Sequence, residues 1–300
     1  MRRRLNSQAD PRSLRIYVAV ATVGRAAILG RTLGRLSLQT RRPDGIVVVG
    51  AAPADIAGAA RAYPGAQLIL CEKGSCRQRN AALDLLVGRA DVVIFFDDDF
   101  VPAPDFIEQV ETAMNADSAL VGLTGQLIAD GAHTGEISFD AAVEEIAAGR
   151  RPDGRSHECS WLYGCNMVVR LSAAPDLRFD EMLPLYGWQE DVDYSCQLAR
   201  HGHMVCSSAL TGIHLGTRAG RTSGLRFGYS QVANILYLRR KQTISWRHGF
   251  GLMARNIVAN LTRSIWPEPE IDRRGRLVGN ALAIADRLRG RIDPTRVESL

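Results

Sequence analysis

The stretch "VVIFFDDDF", residues 92–100, places an uninterrupted apolar run directly before three consecutive aspartates. A short run that is apolar at every position predicts a strand buried on both faces of a parallel sheet. Adjacent carboxylates repel one another, so such a triplet forms either a solvated turn or a site for something positive. Because ligands of open α/β sheets bind at the carboxyl ends of the strands, the position of the triplet favours the second interpretation.

The segments around this stretch alternate between strand-like and helix-like patterns. Before it, the sequence predicts strands at 15–20, 45–50 and 67–70, with helices at 26–39 and 77–87, and it places this strand at 91–96. After it, the sequence predicts a hairpin-like region at 118–170, a helix from Glu190, a strand at 203–209 and helices at 226–243, 248–263 and 277–289. This order predicts an α/β fold with a parallel sheet covered by helices, followed by further C-terminal helices.

Composition sets outer limits on the class of protein. The 300 residues are 46% hydrophobic and 23% charged, as in an ordinary globular protein, and the net charge of +5 is too small to indicate a nucleic-acid partner. No apolar segment follows the basic start and no run reaches about 18 apolar residues, so neither a secretory signal nor a membrane span is expected. The six cysteines lack C-x-x-C spacing, which predicts free thiols.

Two acidic groups carry the chemistry. Asp97 and Asp99 alternate along the chain, so their side chains could face one pocket, and a set of oxygen ligands favours Mg²⁺ or Mn²⁺ with a bound diphosphate. Glu190, Asp191 and Asp193 occupy the first turn of a predicted helix, where acids also suit the helix dipole.

Other candidates lie near these groups. An aromatic residue beside carboxylates, here Trp188, suits a sugar. Lys73, Arg79 and Asn80 stand at a predicted helix start, where phosphate can be held. For His214, sequence alone leaves open both a core position and a ligand role.

These motifs, in this order, resemble the inverting family 2 glycosyltransferases over roughly residues 15–245. "ATVGR" is similar to the end of the family's first strand at Thr22 and Arg25, and "RQRNAAL" to its A-R-N stretch. The triplet matches the family's D-x-D, "YGCNMVVR" its G-x-N strand, and "GWQEDVDYSCQLARHGH" its E-D motif. One departure stands at the second strand, "VVVGAAPAD", where Gly50 and Ala51 replace the usual aspartate that contacts the nucleotide, so the resemblance implies different recognition of the base.

The resemblance implies a GT-A fold, a Rossmann-like nucleotide-binding mixed sheet flanked by helices. It divides the chain into a basic tail (1–14), a GT-A domain (15–245) and a C-terminal helical extension (246–300). It implies transfer of one sugar, a hexose or deoxyhexose, from a nucleotide-diphospho-sugar to a hydroxyl of a glycan or lipid-linked acceptor. It further implies polysaccharide biosynthesis for the cell envelope, in the cytoplasm at the inner face of the membrane.

The resemblance also implies a role for each matched residue. Asp191 is the general base, and Asp97, Asp99 and His214 hold Mn²⁺ or Mg²⁺. The donor is bound by Thr22, Arg25, Lys73, Arg79, Asn80, Asp97 and Asp98, and the acceptor by Trp188, Glu190 and Asn166.

Other classes fit less well. A sugar-phosphate nucleotidyltransferase usually carries a G-x-G-x-R loop that "ATVGRAA" lacks, and a haloacid-dehalogenase-type phosphatase needs a Thr where Val101 stands. A non-catalytic nucleotide- or carbohydrate-binding module stays open at this point.

The C-terminal region is basic and amphipathic. Residues 239–276 hold nine basic and three acidic residues. Phe250, Met253, Ile257 and Leu261 form one apolar stripe, with Arg255 and Arg263 roughly opposite. This pattern predicts either a helix that covers the sheet or one that lies on an anionic membrane surface.

Overall fold

The computed structural model describes residues 13–152, 154–219, 222–266 and 271–300, so the predicted basic tail lies outside it except for Ser13 and Leu14. The first half alternates strands and helices close to the predicted positions. The strands are β1 (Ile16–Thr22), β2 (Gly45–Gly50), β3 (Gln67–Leu70), β4 (Val92–Asp97) and β5 (Phe100–Pro102). The helices are α1 (Ala26–Leu36), α2 (Ala59–Ala62), α3 (Ser75–Leu86) and α4 (Phe106–Ala116), with a 3₁₀ turn at Pro53–Ile56.

The second half corrects two sequence-based predictions. It contains β6 (Leu120–Asp130), α5 (Gly131–Thr134), α6 (Phe139–Ala147), β7 (His157–Glu158), β8 (Asn166–Val169), α7 (Glu190–Leu198), β9 (His203–His214), α8 (Gly224–Lys241), α9 (Trp246–Ile265) and α10 (Arg273–Leu288). The hairpin expected at 118–170 is wrong, because helices α5 and α6 separate the antiparallel strands β6 and β8. The strand expected at 203–209 continues to His214, because it pairs along most of β6.

All of these strands join one mixed sheet in the order β3-β2-β1-β4-β8-β6-β9-β5, with β7 also paired to β9. Strands β3, β2, β1 and β4 are parallel, as the sequence predicted, and β8 then runs antiparallel to β4. The predicted architecture of a mixed sheet flanked by helices and followed by C-terminal helices is confirmed.

The apolar run of β4 forms the centre of the sheet because its side chains alternate between two buried layers. Val92, Ile94 and Phe96 pack in the layer that contains α1 and α4. Val93 and Phe95 pack in the opposite layer, against α3, α7 and α8. Each such side chain contributes about 1.5–3 kcal/mol when fully buried. Since both layers hold this strand, the aspartates at its carboxyl end are fixed in position.

The three C-terminal helices pack closely through small and polar residues. A Cβ atom on Gly228 of α8 would lie 2.1 Å from the Arg276 carbonyl oxygen of α10, so only glycine permits this approach. Nearby, Asn260 of α9 donates to Gln231 of α8 (2.8 Å) and to Asn280 of α10 (2.9 Å). Helix α8 thus belongs to this bundle while its other side packs on the sheet layer, and the domain boundary at residue 245 stays a prediction.

Within the described ranges, no helix is both long enough and apolar enough to cross a bilayer.

All six cysteines are free, and two of them, Cys76 and Cys165, are buried.

Candidate active site

Asp98 is buried and connects three loops through hydrogen bonds. Its carboxylate accepts hydrogen bonds from Thr22 Oγ1 (2.7 Å) at the end of β1 and from Arg25 Nη1 (2.8 Å). Arg25 also donates to the backbone carbonyls of Thr217 (2.8 Å) and Ala219 (2.6 Å). The polar atoms of Thr22, Arg25 and Asp98 already have protein partners, so these contacts support a role in positioning the donor site. Their direct contact with the donor stays a prediction.

The other two aspartates converge with His214. Single ligand atoms of Asp97, Asp99 and His214 all lie within 4.8 Å of one another. His214 Nε2 is 3.4 Å from Asp99 Oδ1 and 3.9 Å from Asp97 Oδ2. Asp99 Oδ1 is buried, with His214 Nε2 (3.4 Å) and Arg25 Nη1 (3.5 Å) near it, and the other oxygen of this carboxylate accepts from the backbone N–H of Thr217 (2.7 Å).

This group fits a divalent cation. Asp99 Oδ1 has these two longer contacts in place of a short hydrogen bond, and a cation among the three side chains would give it a closer partner. Two carboxylates and an imidazole suit Mn²⁺ or Mg²⁺. Burial opposes the imidazolium charge of His214, but hydrogen bonds to Asp130 and Asp99 outweigh it and raise the pKa of His214 to about 10. Metal binding would therefore have to displace this proton.

Arg79 connects the metal group to the second acidic cluster. Its guanidinium donates to Glu190, to Asp97 Oδ1 (3.2 Å) and to the Gly164 carbonyl (3.0 Å), and only 6% of its side chain is exposed. Burial works against this charge, but Glu190 and Asp97 outweigh it and raise the pKa of Arg79 above its ordinary value. The guanidinium is thus a fixed positive charge between the two acidic clusters.

Asp191 stands in the first turn of α7, on the other side of Gly164. Its Oδ2 accepts from the Gly164 N–H (3.2 Å) and its Oδ1 from the Val192 N–H (2.9 Å). Burial raises the pKa of Asp191 above its usual range. A carboxylate with a raised pKa is a stronger base, which suits proton abstraction near neutral pH.

The loop before α7 is held in a strained conformation. Leu185 (φ 59°) and Gln189 (φ 74°) adopt the left-handed region that non-glycine residues avoid, and the Leu185 carbonyl accepts from the N–H of Ser75 (2.7 Å). Such conformations cost about 1–3 kcal/mol each and persist where the surroundings enforce them. This loop fixes the start of α7, and with it Asp191, against the start of α3.

Four further predicted residues lie around this centre in different environments. Lys73 is exposed, whereas Asn80 donates to the Phe179 carbonyl (3.0 Å) and accepts from its N–H (2.8 Å). Asn166 is fully buried and accepts from Thr124 Oγ1 (2.5 Å). Trp188 is half-buried and packs against Phe227. Asn80, Asn166 and Trp188 thus face the protein, so a positioning role is the one that their contacts support.

Trp161, which the sequence reasoning missed, is the exposed indole beside the site. Its side chain is 47% exposed and lines two adjoining cavities of about 650 and 490 Å³ that share residues 158–161. Val192 lines the larger cavity and Tyr163 the smaller one. The sequence "SWLYG" just before the G-x-N strand was the available signal.

Asp55, also missed, organises the ends of β1 and β2. Its carboxylate accepts from the backbone N–H groups of Gly24 (2.7 Å), Ala51 (3.0 Å) and Ala52 (2.8 Å). The loop that departs from the family's pattern is therefore held by a carboxylate from the 3₁₀ turn.

Comparison with known proteins identifies the fold first. Among solved structures, the chain is similar to the mannosyltransferase PcManGT from Pyrobaculum calidifontis in complex with GDP-Man and Mn²⁺, with a TM-score of 0.50 and 14% sequence identity. The match covers 96% of this chain and 86% of that one. At this identity the likeness shows the fold alone, a GT-A-like sheet with a C-terminal helical region.

The sequence then identifies the family. The profile of glycosyl transferase family 2 matches residues 17–174, more than half of the 300-residue chain. The chain belongs to glycosyl transferase family 2 and is a glycosyltransferase, which confirms the predicted resemblance. Asp191 and His214 lie beyond the matched residues, so their roles rest on the geometry described above. No curated protein matches the chain.

Proposed function

We propose that this glycosyltransferase moves one sugar from a nucleotide-diphospho-sugar to an acceptor hydroxyl with inversion at the anomeric carbon, and that Asp191 is the general base. The observation that carries the proposal is the junction at Gly164. Its N–H binds Asp191, and its carbonyl binds Arg79, which also contacts Asp97 of the metal group. A candidate base and a candidate diphosphate site thus share one backbone segment.

The donor would lie between the metal group and the start of α3. A divalent ion at Asp97, Asp99 and His214 would neutralise negative charge on the departing diphosphate. Lys73, exposed just before α3, is the cation free to reach a phosphate, while Arg79 fixes the position of Asp97. The GDP-Man complex of the similar PcManGT supports a sugar nucleotide as donor.

The acceptor would occupy the cavities beside Trp161. A sugar ring can stack on the exposed indole, and Glu158 and Ser160 in the shared segment offer polar groups to its hydroxyls. A single displacement by an acceptor hydroxyl needs a base and no covalent nucleophile. Gly164, whose N–H binds Asp191, follows the shared segment by three residues, which supports Asp191 as that base.

We also propose contact between α9 and an anionic membrane. Val258 (57% exposed), Leu261 (52%) and Ile265 (63%) share one face of the helix, next to Trp266 (77%). The predicted stripe is thus divided: Met253 and Ile257 pack against the protein, and Leu261 is exposed. The exposed Arg255 borders this face and the exposed Arg247 lies on the same side nearer the start of the helix, so the charge there complements anionic lipid. Such contact fits a lipid-linked acceptor of a cell-envelope polysaccharide at the cytoplasmic side of the membrane.

Vesicle sedimentation tests the membrane contact. Leu261→Ser combined with Ile265→Ser should abolish binding to anionic vesicles and leave turnover of a water-soluble acceptor unchanged. Val278→Ser, at an exposed apolar position of α10 (53%), is the matched control. Equal sedimentation of the wild type with neutral and anionic vesicles would contradict the proposal.

The reaction itself is tested by release of nucleoside diphosphate from a panel of sugar nucleotides, with and without added glycan acceptors. NMR of the product then gives the anomeric configuration. An α-linked donor should yield a β-linked product. A product that retains the donor's configuration would refute inversion. Formation of nucleoside triphosphate and sugar 1-phosphate when pyrophosphate is added to the sugar nucleotide would indicate nucleotidyl transfer instead.

A further inference from the structure

We infer that Asp130, held by Tyr163, is a positioning residue that orients His214 toward the metal group; this rests on the metal site of the proposed function. Asp130 is the last residue of β6 and His214 the last of β9, and the parallel pairing of these strands places the two residues in register. Asp130 Oδ1 lies 2.9 Å from His214 Nδ1. The sheet itself therefore brings this carboxylate to the histidine, although the two residues are far apart in sequence.

The contact selects which ring nitrogen faces the metal group. A neutral imidazole has one N–H and one lone pair, and a carboxylate acceptor at Nδ1 holds the N–H there. The lone pair is then left on Nε2, which is the nitrogen that lies 3.4 Å from Asp99 Oδ1 and 3.9 Å from Asp97 Oδ2. Asp130 is thus behind the ring, on the side opposite to the candidate ligands, and is not itself a member of the group.

Tyr163 fixes the second oxygen of this carboxylate. The Tyr163 hydroxyl donates to Asp130 Oδ2 (2.9 Å), and the Ala132 N–H donates to Oδ1 (3.0 Å). The ring of Tyr163 also meets the ring of His214 edge to face, with centroids 6.2 Å apart and planes at 89°. The carboxylate can therefore rotate little, and the imidazole is restrained by a hydrogen bond and by an aromatic contact.

The same segment connects this arrangement to the candidate base. Gly164, next to Tyr163, donates its N–H to Asp191. Residues 163 and 164 thus restrain the histidine of the metal group and the carboxylate of the base at once. Partners of this kind behind a metal-bound histidine typically change metal affinity by about 10–100-fold.

The test measures Mn²⁺ binding to the purified protein by calorimetry, with Mn²⁺ alone as the probe. Asp130→Ala should weaken binding about 10–100-fold. Asp130→Asn keeps an acceptor oxygen for the N–H at Nδ1, so it should recover most of that loss. Tyr163→Phe keeps the ring and removes the hydroxyl that donates to Asp130 Oδ2. Its Mn²⁺ affinity should lie between those of the wild type and Asp130→Ala. Asp117→Asn is the matched control, because Asp117 pairs with His203 (3.1 Å) at the first residue of β9, the end of the strand opposite to His214.

A double-mutant cycle separates orientation from a general structural effect. In a His214→Ala background, Asp130→Ala should have no further effect on Mn²⁺ affinity. The inference would be overturned if Asp130→Ala bound Mn²⁺ as tightly as the wild type. It would also be overturned if Asp130→Ala weakened Mn²⁺ binding as much in the His214→Ala background as in the wild type. If Asp130→Ala does not fold, the Mn²⁺ affinities of Tyr163→Phe and Asp130→Asn are compared with and without His214 instead. Absence of Mn²⁺ binding in the wild type would refute the metal site and this inference together, whereas sugar transfer measured in EDTA would still support the proposed reaction.

Discussion

The substitution Asp191→Asn tests the assignment of the base most directly, because it keeps the shape of the side chain and removes its ability to accept a proton. The carboxylate now accepts two backbone hydrogen bonds, one from Gly164 and one from Val192. An amide has only one acceptor oxygen, so one of these N–H groups would face the amide NH₂ instead. A lost hydrogen bond to a charged group is worth about 1.5–3 kcal/mol, which is the expected drop in the free energy of unfolding.

The catalytic effect should be larger and separable from this loss of stability. General-base catalysis contributes about 10²–10⁴-fold, so kcat should fall by at least about 100-fold at saturating donor and acceptor. Donor affinity should change little, because Asp191 does not belong to the metal group formed by Asp97, Asp99 and His214. Nucleoside diphosphate release gives kcat, calorimetry with donor gives its affinity, and urea unfolding gives stability.

Two matched amide substitutions complete the experiment. Glu190→Gln removes the charge that pairs with Arg79, so it should weaken donor binding while kcat falls less than in Asp191→Asn. Asp84→Asn, on an exposed side chain of α3, should change neither quantity. A near-wild-type kcat in Asp191→Asn would refute the assignment and leave Glu190 as the next candidate, because burial raises the pKa of Glu190 to about 8 despite its pairing with Arg79. A loss of activity that only follows the loss of folded protein would show that the carboxylate is a structural cap.

Three further predictions concern the metal group, the acceptor cavity and the fold. Asp99→Asn should weaken Mn²⁺ and donor binding together, by more than about tenfold, and equal donor affinity with and without EDTA in the wild type would contradict the metal's role. Trp161→Ala should raise the acceptor KM about three- to tenfold at unchanged donor affinity, since an aromatic contact is worth about 0.5–1.5 kcal/mol; an unchanged KM would place the acceptor elsewhere. Lys241→Met leaves the buried Asp193 without its cationic partner (2.7 Å) and should lower the free energy of unfolding by about 3–5 kcal/mol in urea titrations. The control Lys73→Met, at an exposed position, should change this free energy by less than about 0.5 kcal/mol.

Local patterns were sufficient for the parallel half of the sheet. The strand at 67–70 and the strand at 45–50 were placed at their observed ends, because their apolar runs end at glycines or at polar residues. The same reasoning found the Asp97 and Asp99 pair and the first turn of α7, where the informative residues are close in sequence, whereas the ligand role of His214 was implied only by the family resemblance. It failed at 118–170, because the connection between β6 and β8 forms helices and because β6 pairs over most of its length with β9, a strand some 80 residues further on.

The residues that were missed or misjudged depend on such distant contacts. Asp130 acquires its place from the register of β6 against β9, and no local signal marks it. Trp188 and Trp161 look alike in sequence, each lying near a candidate motif. Exposure distinguishes them, because Trp188 is half-buried against Phe227 of α8, whereas Trp161, beside His248 of α9, stays 47% exposed at the cavity.

The departure from the family's pattern at the second strand also has a physical reason in the fold. A Cβ atom on Gly50 would lie 2.7 Å from Ile56 Cγ2, so the 3₁₀ turn after β2 leaves no room there for the usual type of side chain. The same turn supplies Asp55, whose carboxylate is used by three backbone N–H groups of the loops after β1 and β2. A carboxylate satisfied in this way has little capacity left to bind a base. The turn therefore fixes the loops after β1 and β2, and in the proposed function the base would be recognised by groups other than Asp55.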